Sequence, residues 1–167
     1  MKKILLTIIF LSCLIFALPA VAMAESIDNF KAGYTLSRDG LIRVEETIQY
    51  NFGLDSRHGI YRFIPYKYAL DNGETAYLNI SDISVTDSRG YSYQFEKSRE
   101  NNNIVLKIGD PNQTITGSQV YVINYLVKGG LKYLESGDEF YWNVNGTGWD
   151  VPVEQITATV NMPQANT

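Results

Sequence analysis

From Ile42 to Phe52 the chain repeats every two residues. Ile42, Val44, Ile48, Tyr50 and Phe52 fall on one face of an extended segment, and Arg43, Glu45, Thr47, Gln49 and Asn51 on the other. A period of two belongs to a β-strand, whose successive side chains point to opposite faces, and not to the 3.6-residue turn of a helix. One face is therefore bound for a core and the other for water. Just upstream, Phe30, Ala32, Tyr34 and Leu36 alternate in the same way. Between the two segments, Asp39-Gly40 offers two residues that tolerate the positive φ angles of a type I′ turn, so the unit reads as a hairpin. A single residue breaks the pattern. Glu46 lies on the apolar face between Val44 and Ile48, where an unpaired charge is strongly unfavourable. Either a bulge turns it to solvent, or a cation folds over that face. Arg62 is the candidate cation, because a guanidinium grips a carboxylate with two parallel hydrogen bonds.

Further strands are predicted at about Leu78 to Thr86, Tyr91 to Lys97, Ile104 to Ile108, Val120 to Val127, Phe140 to Val144 and Gln155 to Met162. Turn clusters such as Ser88-Arg89-Gly90 and Gly129-Gly130 separate them. No segment of helical length carries a 3.6-residue apolar stripe. The fold expected is all-β, an immunoglobulin-like antiparallel β-sandwich of about eight strands. The connection from Gly53 to Ala76 is too long for a simple meander. Its run His58-Gly59-Ile60-Tyr61-Arg62-Phe63-Ile64-Pro65 is too apolar to hang in solvent, so it is expected to pack across one end or edge of the sandwich.

The N-terminus sets the compartment. Lys2 and Lys3, the apolar run Ile4 to Leu18 and the small-x-small site Ala22-Met23-Ala24 are the three parts of a secretory signal peptide, with cleavage before Glu25. The organisation is thus 1–24 signal peptide, 25–163 β-sandwich domain and 164–167 linker or disordered tail. A lipoprotein reading of Phe10-Leu11-Ser12-Cys13 is weaker, since Phe10 stands where a leucine is wanted. The product is expected outside the cytoplasm, secreted or at the cell surface. Any membrane attachment would come only through a C-terminal segment absent from this chain. Cys13, the sole cysteine, leaves with the signal. The net charge of −4 includes Lys2 and Lys3 and falls to −6 without them. The remaining basic residues are scattered singly, which argues against nucleic acid as a partner.

Little in the chain points to catalysis. One histidine, His58, and no serine in a nucleophile-elbow context leave no hydrolytic triad. The chain cannot assemble the nitrogen and sulfur ligands of a zinc site, and Asp82, Asp87, Asp110 and Asn112 lack the dense spacing of a calcium loop. The chain is read as a non-enzyme without cofactor. Its aromatics offer another role, because exposed tryptophan and tyrosine are flat stacking platforms for sugars. Trp142 shares a face with Phe140 and Val144 and reads as core. Trp149, in the turn Asn145 to Asp150, is the freer ring, though folding over the end of the sandwich is the favoured reading for it. The candidate interaction surface is His58, Tyr61 and Trp149. The sequons at Asn79, Asn112 and Asn145 matter only in a eukaryotic secretory path.

Three segments carry a resemblance. They are Asp39-Gly40-Leu41-Ile42-Arg43-Val44-Glu45-Glu46-Thr47-Ile48, the run His58 to Pro65, and Phe140-Tyr141-Trp142-Asn143-Val144-Asn145-Gly146 followed by Trp149-Asp150-Val151-Pro152-Val153. In order and spacing they resemble the N-terminal extracytoplasmic domain of the YciQ-like predicted membrane proteins, a bacterial family of unknown function. The resemblance implies an external β-sandwich, normally followed by transmembrane helices, and it brings no catalytic residues. The expected function is an extracytoplasmic binding domain for a protein or cell-envelope component. A carbohydrate-binding module is the alternative.

Overall fold

A computed structural model describes residues 24–69 and 73–163. The predicted signal peptide, apart from Ala24, and the tail 164–167 lie outside the described residues. The strands are β1 (Ser26–Leu36), β2 (Ile42–Asn51), β3 (Gly59–Pro65), β4 (Lys67–Ala69), β5 (Thr75–Tyr77) and β6 (Asn79–Thr86), then β7 (Phe95–Glu100), β8 (Asn103–Gly109), β9 (Ser118–Lys128), β10 (Leu131–Lys132), β11 (Glu139–Phe140) and β12 (Ile156–Asn161). Among the described residues there is no helix.

The fold is a β-sandwich. One sheet has the order β12-β1-β2-β9-β6 and the other β3-β8-β7, with β4-β5 and β10-β11 as short ribbons. The inner faces follow the alternation in the sequence. Phe30, Ala32, Tyr34 and Leu36 of β1, Ile42, Val44, Ile48 and Tyr50 of β2, and Tyr121, Ile123, Tyr125 and Val127 of β9 meet Ile60 and Ile64 of β3 and Ile104, Leu106 and Ile108 of β8 in one core. Burying these side chains is the main force holding the two sheets together.

The connection from Gly53 to Ala76 lies at an edge of the sandwich, and its middle is itself a strand, β3, paired with β8 from Gly59↔Gly109 to Pro65↔Asn103. Three expectations need correction. The sandwich is not wholly antiparallel, because β12 runs parallel to β1. The strand expected over Phe140 to Val144 shrinks to the ribbon residues Glu139–Phe140. The first hairpin is also not a type I′ turn, since only Gly40 has positive φ (79°). Its amide donates to the Ser37 carbonyl at 3.1 Å and the Ser37 amide to the Leu41 carbonyl at 2.8 Å, the type I turn plus left-handed glycine of a three-residue hairpin loop.

Candidate functional site

The polar centre of the molecule lies between the sheets. Glu46 on β2 and Arg62 on β3 face each other across the core, exposed by 0% and 1%. Arg62 Nε donates to Glu46 Oε2 at 2.7 Å and Nη2 to Oε1 at 2.7 Å. Tyr125 on β9 adds its hydroxyl to Oε1 at 2.7 Å. The β1–β2 register runs unbroken through Ala32↔Glu46, so no bulge turns Glu46 to water. Burial by itself would loosen the Arg62 proton, but the charge and hydrogen bonds of Glu46 outweigh it and hold the guanidinium protonated above its usual range. Burial first, and the Glu46 charge second, push the Tyr125 phenol well up, so it stays a donor. Desolvation offsets much of such a pair's attraction, so its main effect is to fix position.

Arg62 also fixes a loop. Its Nη1 donates to the Phe63 carbonyl at 2.9 Å and to the Asn145 carbonyl at 3.0 Å. Trp149 Nε1 donates to the same Asn145 oxygen at 2.9 Å. The guanidinium carbon lies 5.3 Å from the Phe30 ring centre and 5.9 Å from that of Trp149, a cation between two aromatic faces. Gly146 has φ +71°, and a Cβ there would lie 2.3 Å from Arg62 Nη1, so only glycine lets the loop come this close. The segment from Asn145 to Trp149 is thereby seated against β3. Trp149 is half-buried in this box and is not a free platform.

Close in sequence to these two elements is an open cleft of ≈ 250 Å³. It is lined by Pro65, at the end of β3, with Tyr68, Ala69 and Leu78, and by Tyr141, Trp142 and Asn143. Tyr141 is 81% exposed and Tyr68 40%. Trp142 is half-buried, its ring centre 5.9 Å from that of Tyr34 and 6.1 Å from that of Phe140. The lining is largely apolar, with flat rings and the Asn143 amide. Such a surface can hold an apolar or planar group by packing and stacking with a few orienting hydrogen bonds. Its lining residues include no acid–base pair.

His58 and Tyr61 come together elsewhere. At the start of β3 they line a second cleft of ≈ 240 Å³ with Arg57, Lys107 and Pro111. His58 Nδ1 lies 2.8 Å from the Gln113 carbonyl, and the Tyr61 ring stacks on Phe63 at 6.5 Å. The cations here have partners: Arg57 binds Glu25 and Asp55, and Lys107 is 3.8 Å from Glu96. Trp149 does not join this cleft. Asp87 and Asp110 close their own turns by accepting the amides of Arg89 and Tyr91 and of Asn112, respectively.

Apart from Trp142, read there as core, the residues of the aromatic cleft escaped the sequence reading because they come from three separate stretches of the chain, β3 to β4, the residue between β5 and β6, and the segment after β11. Only Tyr141 carried a signal. If Phe140 and Trp142 face the core, alternation sends Tyr141 outward.

The family model described as "Predicted membrane protein (DUF2207) N-terminal domain" matches residues 26–167. Uncharacterized protein YciQ of Escherichia coli (strain K12) is 28% identical over 127 residues, which cover 75% of this chain and 20% of that protein. Among solved structures, leukotriene A4 hydrolase from Saccharomyces cerevisiae aligns with a TM-score of 0.41 at 12% identity, over 61% of this chain and 15% of that one. An M1 zinc metallopeptidase from Deinococcus radiodurans aligns with a TM-score of 0.37 at 9% identity, over 62% and 20%. Neither structural likeness carries information about activity.

Proposed function

The chain belongs to the family of predicted membrane proteins with a DUF2207 N-terminal domain, and from that premise we propose that it is a non-catalytic, extracytoplasmic binding domain that takes a protein component of the cell envelope. The observation that carries the reading is the open aromatic cleft formed by Pro65, Tyr68, Leu78, Tyr141 and Trp142. Exposed apolar rings are costly to leave in water, and a cleft built from them is an anchor site for a partner's apolar side chain. The signal-peptide pattern at residues 1–24 supports display outside the cytoplasm on an immunoglobulin-like scaffold. The flat exposed rings of Tyr141 and Tyr68 favour one second reading, a polysaccharide stacked on the same cleft.

The test is binding of the labelled, exported protein to isolated cell envelopes. Saturable binding that Tyr141→Ala weakens roughly tenfold, at an unchanged urea midpoint, and that protease treatment of the envelopes abolishes, is the expected result. Binding that survives protease and is competed by soluble cell-wall polysaccharide would replace this reading with the carbohydrate one. Absence of saturable binding, or indifference to Tyr141→Ala, contradicts the site.

A further inference from the structure

The sandwich has four sheet edges among the described residues, and three are protected. Strand β7 carries Glu96, Lys97, Arg99 and Glu100. Strand β6 is broken by a bulge between Ser81 and Ser84, with Asp82 at φ 51°. Strand β3 ends at Pro65 and is crowded by Gly146, whose Cβ position is 3.2 Å from the Phe63 carbonyl. Charges, bulges, proline and covering loops are the ordinary means of blocking an edge. Strand β12 has none of them among the described residues. Its sequence Ile156-Thr157-Ala158-Thr159-Val160-Asn161 contains no charge, proline or glycine, and all six residues are exposed.

The phase of its hydrogen bonding is fixed. The Phe30 amide donates to the Gln155 carbonyl at 2.8 Å, so Gln155, Thr157, Thr159 and Asn161 point their backbone groups at β1. Ile156, Ala158 and Val160 point theirs along the open edge. The same three residues pair in register with Phe30, Ala32 and Tyr34, whose side chains are buried, so their own side chains lie on the core side of the sheet. There Ile156 and Val160 remain 45% exposed and Met162 69%. An unpaired row of backbone donors and acceptors beside an apolar stripe calls for another β-strand with the same alternation.

We propose that the strand is β12 of a second copy, added antiparallel about a two-fold axis at Thr159. That register sets Ile156 against Met162 and Ala158 against Val160 on the core side, with Thr157 against Asn161 and Thr159 against itself on the outer side. Apolar meets apolar on the core side and polar meets polar on the outer side, Glu154 stays outside the pairing, and the two large sheets become one. A patch of one short strand per copy falls below the roughly 1,200 Å² of total burial typical of stable complexes. The association is therefore weak in free solution and strengthened wherever copies are held at high local concentration.

Sedimentation velocity of the exported protein over a concentration series tests it. A reversible monomer–dimer equilibrium is expected. Ala158→Pro removes an amide that faces the open edge, and Val160→Lys puts a charge in the stripe. Each is expected to weaken association at least roughly tenfold with the urea midpoint kept. Because Thr159 faces its own copy at the axis, Thr159→Cys is expected to oxidise to a disulfide-linked dimer, whereas Thr47→Cys on β2 is not. A protein monomeric at every concentration, or a dimer that forms without crosslinking through Thr159→Cys, overturns the proposal.

Discussion

Arg62 on β3 and Glu46 on β2 are joined by two parallel hydrogen bonds of 2.7 Å across the interior of the sandwich. No cysteine follows residue 24, so no disulfide can tie the two sheets together as one does in antibody domains. The ion pair links the same two layers. Apolar packing alone would let the layers slide or repack at small cost, whereas a buried charge has only one acceptable place. The remaining Arg62 donors carry that constraint outward to the Asn145 carbonyl, and so to the loop that holds Trp149.

Gly146 tests the loop contact. Gly146→Ala adds a Cβ 2.3 Å from Arg62 Nη1 at φ +71°, whereas Gly90→Ala meets open space at φ +88°. The second variant is expected to lose only the backbone term, about 1 kcal/mol. The first should lose about 1–2 kcal/mol more, because guanidinium and loop must part. Urea midpoints of the two variants measure the difference.

Alkaline stability follows from the buried tyrosines. Burial is the first cause that raises the phenols of Tyr34, Tyr50, Tyr121 and Tyr125 well above their usual range. The Glu46 charge adds for Tyr34 and Tyr125, and a hydrogen bond to Glu25 adds for Tyr50. In the unfolded chain they release protons near pH ~10, so above that pH the folded state binds more protons than the unfolded one. The stability these groups contribute is complete below pH ~10 and is lost as pH rises towards their folded values. Urea midpoints are expected to be flat to about pH 9 and then fall, and Tyr125→Phe is expected to fall less steeply. An equal slope in the variant would contradict the assignment.

Processing is expected to leave Glu25 first. Its carboxylate accepts the Tyr50 hydroxyl at 2.8 Å and meets Arg57, so the residue beside the predicted cleavage site is already tied to the fold. N-terminal sequencing of exported protein should begin at Glu25. Glu25→Gln should cost less than about 1 kcal/mol, because Arg57 is half exposed and such pairs are weak. A start elsewhere, above all a lipidated Cys13, would contradict the reading.

Where one face meets core and the other water, alternation exposes the strand, and β1, β2 and β9 could be read from the sequence. In β3 it could not. Ile60 and Ile64 point inward with Arg62 between them, while the aromatic Tyr61 and Phe63 point outward, so both faces look apolar and the charge lies on the wrong one. The parallel pairing of β12 depends on the chain crossing back beside β1, which no residue of β12 records. Glu46 was legible because it violated the pattern. Its three hydrogen bonds resolve that violation, but Tyr125 lies 79 residues away, and only the register of β2 with β9 brings it near. The aromatic cleft was illegible for the same reason, its walls being neighbours in space alone.

The most direct test of the account is a double-mutant cycle on the pair that joins the sheets, read by urea unfolding and by Trp149 fluorescence. Glu46→Gln and Arg62→Met are each expected to destabilise by about 2–4 kcal/mol, Arg62→Met the more because it also removes the donor to the Phe63 and Asn145 carbonyls. The double variant should lose less than the sum by more than about 1 kcal/mol. Arg62→Met, but not Glu46→Gln, should shift the native tryptophan emission as the box around Trp149 opens. Additive losses, or single losses near zero, would show that the two side chains do not hold the sandwich together.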